Sequence, residues 1–262
     1  MPAVNPRQPI AAIYAFARTA DDIADEGDAT PAQRLADLAA YRVELTRVAA
    51  GQPPAAQWAA VFGPLQAVLR NHALPVPLLD DLLSAFIQDV QKTRDAQGYA
   101  DRAELLDYCR RSANPVGRLL LHLYGVTGAQ ALEESDAICT ALQLINFWQD
   151  LSVDIPRGRH YLPHADCARH GANPAQLHTL QSTPETTRLI TDCARWARDS
   201  MEHGAPLVHR LPGRAGWELR LVVQGGLRIL DKVDALQGGS LHTRPRLHAW
   251  DWGVMLARAL VM

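Results

Sequence analysis

The chain has 262 residues, 48% of them apolar and 21% charged, with a formal net charge of −2. This is ordinary globular composition, long enough for one domain with a large core or two small ones, and it lacks the basic excess of a nucleic-acid binder. Cys109, Cys139, Cys167 and Cys193 stand far apart without CxxC spacing, which argues against a zinc site or a disulfide framework and for reduced core thiols in a reducing cytoplasm.

Taken in chain order, the start MPAVNPRQP has no basic flank, apolar run and cleavage site of a secretory leader. The apolar run Ile10 to Ala17 is too short to cross a bilayer. It predicts a helix running into RTADDIADEGD, where Asp21, Asp22, Asp25, Glu26 and Asp28 crowd together. Thr30 and Pro31 read as an N-cap and first helical residue, with Gly51 closing that helix. Leu78, Leu82, Phe86 and Val90, beside Leu79, Leu83 and Ile87, make a wide apolar helical stripe. Asp101 and Glu104 have capping-box spacing. QLINFWQDLSVD at 143–154 predicts a helix stopped by Pro156 and Gly158. The stretch 156–184 reads as connecting structure with short helical turns. Pro184 and Pro212-Gly213 bracket a further long helix, and Gly225-Gly226 permits close approach of another helix or of an isoprenoid chain. His160 reads as a surface histidine, and most of Trp148, Trp217, Trp250 and Trp252 as core. The end, WDWGVMLARALVM, reads as a packed terminal helix, or at most an interfacial one. Strand alternation and hairpin turns are scarce, so the expectation is an all-α bundle of about eight helices in a single domain, 1–262.

Two segments carry chemistry. Asp21 and Asp25 share one helical face, as do Asp22 and Glu26; like charges at that spacing cost about 0.2–0.5 kcal/mol per pair. Asn146, Asp150 and Asp154 fall at i, i+4 and i+8, a polar row through the apolar neighbours Leu142, Leu144, Ile145, Phe147, Trp148, Leu151 and Val153. Carboxylates in such surroundings are costly unless paired or metal-bound. Their hard oxygens suit Mg²⁺, completed by waters and phosphate oxygens. Arg18, one turn before Asp21, and Arg157, Arg159 and Tyr161 in IPRGRHYLP are placed to grip a diphosphate. Metal and basic groups together would neutralise a leaving diphosphate, and a dry apolar cavity would protect the resulting carbocation.

IYAFARTADDIADEGD and LQLINFWQDLSVDIPRGRHYLP resemble the two signature segments of the squalene and phytoene synthases, over most of the chain to about residue 240. The resemblance implies a class I isoprenoid synthase helical bundle with a central cavity. It assigns Mg²⁺ to Asp21, Asp25, Asn146, Asp150 and Asp154, and substrate diphosphate to Arg18, Gln143 and Arg159, with Tyr161 joining the four aspartates in catalysis; Arg157, which follows Asp154, and Gln149, which adjoins Asp150, are further candidate diphosphate contacts. ADDIADEGDA, YCRRSANPVGRLLL at 108–121 and NFWQD resemble the hydroxysqualene synthase branch of hopanoid biosynthesis. Condensing members usually read NILRD, where this chain has Gln149, and Arg110 stands where the family has an aromatic near the start of the middle signature. The implied reaction is Mg²⁺-dependent ionisation of presqualene diphosphate with water capture, giving hydroxysqualene. The alternatives are a condensing prenyltransferase or an inactive member acting as an interaction protein. Expected partners are the prenyl diphosphate, a membrane surface touched peripherally and neighbouring hopanoid-pathway enzymes, but no nucleic acid. Family members normally begin with an additional segment of roughly one helix. Here only MPAVNPRQP precedes the metal helix, so that segment is expected to be missing.

Overall fold

The computed structural model describes residues 7–262. The first six residues, which carry part of the reading of a leaderless start, lie outside them. The described elements are helical throughout: α1 (Arg7–Asp25), α2 (Pro31–Ala49), α3 (Ala59–His72), α4 (Val76–Arg94), α5 (Arg102–Ser112), α6 (Asn114–Leu123), α7 (Ala129–Gln149), α8 (Leu151–Asp154), α9 (His164–His170), α10 (Pro174–His178), α11 (Pro184–Gly204), α12 (Gly213–Ala235) and α13 (Asp251–Val261), joined by short 3₁₀ turns. No described helix is long and apolar enough to cross a membrane. The chain divides into two compact units, Met1–Asp95 with Pro115–Thr127, and Ala96–Asn114 with Gly128–Met262.

The first unit is built on α1, α2, α3 and α4. Thr30 caps α2 by accepting from the Gln33 N–H, and Pro31 follows at its first turn, as the sequence predicts. Phe16, Tyr41 and Phe62 are fully buried, with ring centroids 4.8–5.8 Å apart, and the Tyr41 hydroxyl donates to the Phe16 carbonyl at 3.2 Å. Burial holds the Tyr41 phenol well above its ordinary range. An Arg42–Asp80 fork joins α2 to α4.

The second unit is organised by α7, α11 and α12. A Cβ on Gly204 would lie 2.5 Å from the Glu134 carbonyl oxygen; one on Gly226 would lie 2.8 Å from Met201 Cε and 3.1 Å from Ile145 Cδ1. The Gly226 contact confirms the close helix approach read from the sequence. Ion pairs tie these helices together. Arg102 and Arg169 bind Asp166 and Asp192, linking α5, α9 and α11. Arg228 and Lys232 of α12 reach the wholly buried Asp251 of α13 at 2.7 and 2.9 Å, and the His248 N–H adds a third bond at 2.7 Å.

Several expectations need correction. Asp101 does accept from the Glu104 N–H, but the Glu104 carboxylate reaches the Ala100 N–H, so the capping box closes one residue early. The helix begun at Pro184 stops at Gly204, because Ala205–His209 tighten into a 3₁₀ turn before Pro212. Only Trp148 of the four tryptophans named above is core; Trp217, Trp250 and Trp252 are exposed. Trp252, Leu256 and Leu260 form an exposed row on α13, which therefore packs on one face only.

Candidate active-site residues

The acidic end of α1 lies opposite its apolar stripe of Ala12, Ile13, Phe16 and Ala20. Asp21 and Asp22 are half-exposed and Asp25 is exposed. Arg18 binds Asp21 at 2.8 Å and lies 2.7 Å from Asp22 and 3.5 Å from Glu26. The Arg18 guanidinium, expected from the sequence to contact a diphosphate, is thus engaged with neighbouring carboxylates. A second cation shapes this segment. Arg34 of α2 donates to the carbonyls of Ile23, Glu26, Gly27 and Ala29 at 2.7–3.1 Å. It closes the C-terminal end of α1, where a cation is favoured by the helix dipole. The sequence reading missed Arg34 because it lies outside the one-turn window in which helical charge pairs form.

The second acidic segment departs from the uninterrupted helix expected for it. Asp150 takes φ −102° and ψ 12°, ending α7 and opening the single turn α8; Ile155–Arg157 then tighten to 3₁₀ and Gly158 turns out at φ +75°. The backbone ladder survives the break. Asp150 donates to the Asn146 carbonyl at 2.9 Å, Asp154 to that of Asp150 at 2.8 Å, and Arg159 to that of Asp154 at 3.0 Å. Asn146, Asp150 and Asp154 therefore stay about one turn apart. Leu144, Ile145, Phe147, Trp148 and Leu151 are buried around them, while Asn146 is exposed and Asp150 and Asp154 are half-buried. The expected spacing is present, but the row lies on the more exposed side of the helix, and Val153, expected among its apolar surroundings, is exposed.

Gln143 is half-buried on α7, Arg157 exposed and Arg159 half-buried. Tyr161 stacks on Phe147 with ring centroids 3.8 Å apart, and Tyr99 and Tyr108 complete an aromatic cluster at 5.9 and 6.3 Å from it. The stretch after Tyr161 is pinned by the His164 and Ala165 N–H groups, which donate to the Tyr99 and Ala100 carbonyls at 2.9 Å. His160 is half-buried rather than a surface residue. Its ring lies 4.4 Å from that of His178, at the edge of an apolar pocket also lined by His164, Cys167, Leu151 and Leu177. Burial, with the neighbouring His178 and His164, lowers its pKa. Burial pushes the Cys167 thiol up to about 11, so it stays protonated.

The least anticipated contacts come from the C-terminal side. Arg244 forks onto both carboxylate oxygens of Asp150 through Nε and Nη2, the second bond at 3.0 Å. Its hydrogen bond to Asp150, with the charges of Asp150 and Asp154, raises the guanidinium pKa further. Next to it, Gln149 Nε2 donates to the Pro245 carbonyl at 2.6 Å. Gln149, expected at the diphosphate, is thus engaged with backbone. The signal that could have found Arg244 is HTRPRLH, two arginines flanking a proline just past a long helix.

Residues 5–251 match the squalene/phytoene synthase family model. The chain belongs to that family. Hydroxysqualene synthase from Sinorhizobium fredii is 31% identical over 91% of this chain and 77% of its own length. The enzyme of that name from Zymomonas mobilis is 37% identical over 73% of this chain and 62% of its own. Squalene synthase from Alicyclobacillus acidocaldarius, a solved structure, superposes with a TM-score of 0.78 at 34% identity, covering 86% of this chain and 82% of that one. Within the family the chain sides with the hydroxysqualene synthase branch, and its all-helical architecture is the family's.

Family members are class I isoprenoid synthases that generally use a divalent metal. Among the described residues no three His, Cys, Asp or Glu side chains converge on one point. The donors nonetheless suit Mg²⁺: two aspartates a turn apart on α1, and an amide and two aspartates a turn apart around Asp150, all hard oxygens. Guanidinium ions already stand on Asp21 and Asp150 as counter-cations. A cation that keeps most of its waters and takes its remaining ligands from phosphate oxygens needs no denser protein cage.

Proposed function

We propose that this chain ionises presqualene diphosphate and captures the resulting cation with water, releasing hydroxysqualene and diphosphate. What carries this reading is the 31–37% identity to hydroxysqualene synthases. The residue at 149 supports it: glutamine stands where condensing relatives carry arginine, and its amide is spent on the Pro245 carbonyl. Position 149 therefore adds no fixed charge, in keeping with a substrate bearing one diphosphate rather than two substrates bearing one each.

Asp21, Asp25, Asn146, Asp150 and Asp154 would hold Mg²⁺. Bound there, the metal would supply charge neutralisation for the departing diphosphate. Arg18, Gln143, Arg157 and Arg159 are the proposed polar contacts to the diphosphate, Gln149 being held by the Pro245 carbonyl. The carbon–oxygen bond breaks with its electron pair leaving on diphosphate. The cyclopropylcarbinyl cation opens, and water adds to it and gives up a proton. Tyr161, half-buried where it stacks on Phe147 and Tyr99, is the proposed catalytic tyrosine.

The test is incubation of the purified chain with Mg²⁺ and presqualene diphosphate, without nicotinamide, followed by identification of the lipid. Hydroxysqualene is expected. Squalene formed with stoichiometric oxidation of NADPH overturns the reading. A diphosphate-bearing product formed from farnesyl diphosphate alone replaces it with the condensing reaction.

A further inference from the structure

Between α12 and α13 the chain runs as a strap, residues 236–250, fastened at both ends. At the near end Gln237 and Gly238 take φ +46° and +89°. A Cβ on Gly238 would lie 2.7 Å from Thr187 Oγ1, so glycine is required both by conformation and by space. Thr187 Oγ1 donates to the Gln237 carbonyl at 3.1 Å, and Ser240 and Leu241 are fully buried. At the far end the His248 N–H is held by Asp251, itself clamped by Arg228 and Lys232. Between these anchors the strap crosses the second acidic segment, making the Arg244 fork to Asp150 and accepting the Gln149 amide at the Pro245 carbonyl.

Each anchor includes buried residues, Gly238, Ser240 and Leu241 at the near end and Asp251 at the far end, and Pro245 between them is buried as well. The Arg244–Asp150 pair is not: its side chains are 41% and 23% exposed. The fork uses both oxygens of a carboxylate that the proposed reaction needs for metal. We infer that Arg244 is a positioning residue which holds Asp150 as an internal counter-cation, so that the strap and a divalent metal compete for one carboxylate. A guanidinium and a divalent ion on the same group repel each other, and Asp154 one turn away can neutralise only part of the excess. Metal binding would then free Arg244 from Asp150 while the anchors keep the strap attached. This inference rests on the metal role proposed above for Asp150.

The test uses the full chain and two readouts that do not depend on turnover. In the first, Mn²⁺ affinity is measured by electron paramagnetic resonance for the wild type, Arg244→Met and Arg244→Lys. Removing a charge-assisted hydrogen-bond pair from the competing state predicts roughly tenfold tighter binding for Arg244→Met and a smaller gain for Arg244→Lys. Equal or weaker affinity overturns the competition and leaves the metal role of Asp150 standing. No saturable Mn²⁺ binding by any variant overturns both. The second readout needs no variant. Trypsin should cut the Arg246–Leu247 bond of the wild type several-fold faster with saturating Mg²⁺ than with the same ionic strength of NaCl. Mg²⁺ that leaves this rate unchanged or slows it overturns the release of the strap.

Discussion

At the end of α1, Asp21 and Asp22 take their counter-charge from Arg18, three and four residues back on the same helix. After α7, Asp150 takes its own from Arg244, 94 residues further along the chain. The first arrangement is a solvated cluster whose partner travels with it. The second is a half-buried carboxylate whose partner arrives only when the strap is laid down. A local, exposed pair is screened and contributes little; a remote one ties together segments that would otherwise be free to part.

The largest effect expected of any substitution is shared by both segments. Asp21→Asn and Asp150→Asn should each lower Mg²⁺-dependent turnover of presqualene diphosphate on the order of 10²–10³-fold, measured as product formed at fixed metal. Their metal-free melting temperatures should differ. Asp21→Asn relieves repulsion within its cluster and should melt at or slightly above the wild type. Asp150→Asn loses a charged fork and should melt about 2–4 °C lower. Equal melting temperatures would erase the contrast between the two segments.

The same contrast extends to Asp251, which is buried and held from α12 by two cations. Asp251→Asn leaves those two cations without their buried counter-charge, and calorimetry should show a melting temperature lower by roughly 10 °C. Acid should act in the same direction. The carboxyl of Asp251 is held below its ordinary range against the opposing effect of burial, by the His248 N–H and the side chains of Lys232 and Arg228. That of Asp192 is likewise held down, against burial, by His170, Arg102 and Arg169. A depressed folded pKa stabilises above the unfolded value and is lost as pH falls, so melting temperature should drop steeply below about pH 4. His160 is also lowered, but as a base: below about pH 6.5 the unfolded chain takes up its proton more readily. A shallow decline from that point, removed in His160→Gln, is expected first.

The smallest effect belongs to Arg18→Gln in the metal-free chain. Its pairs are about half-exposed, and the change in stability should stay within about 0.5 kcal/mol by urea denaturation. A larger loss would mean that Arg18 is structural and that the end of α1 resembles the Arg244 contact after all.

How much of this was legible beforehand follows the range of each interaction. The helices, the Thr30 cap, the apolar stripe of α4 and the spacing of Asn146, Asp150 and Asp154 all depend on contacts within one or two turns, and periodicity reports those. The placement of Arg18 one turn before Asp21 was legible for the same reason, though it was read as a diphosphate contact rather than as an ion pair. The kink at Asp150 was not, since no Pro or Gly stands there and its i→i+4 bonds persist through it. Nor was the exposure of Trp250 and Trp252, because an apolar residue is core only if some other element covers it. Sequence alone thus determined an all-helical member of the squalene/phytoene synthase family with two acidic metal-type motifs. Tertiary structure alone decided which cation meets which carboxylate or carbonyl: Arg34 on the carbonyls that end α1, Arg244 on Asp150, Arg228 and Lys232 on Asp251. These pairings span 5 to 94 residues, beyond a single helical turn, and a charge pattern read along the chain carries no record of where distant segments will cross.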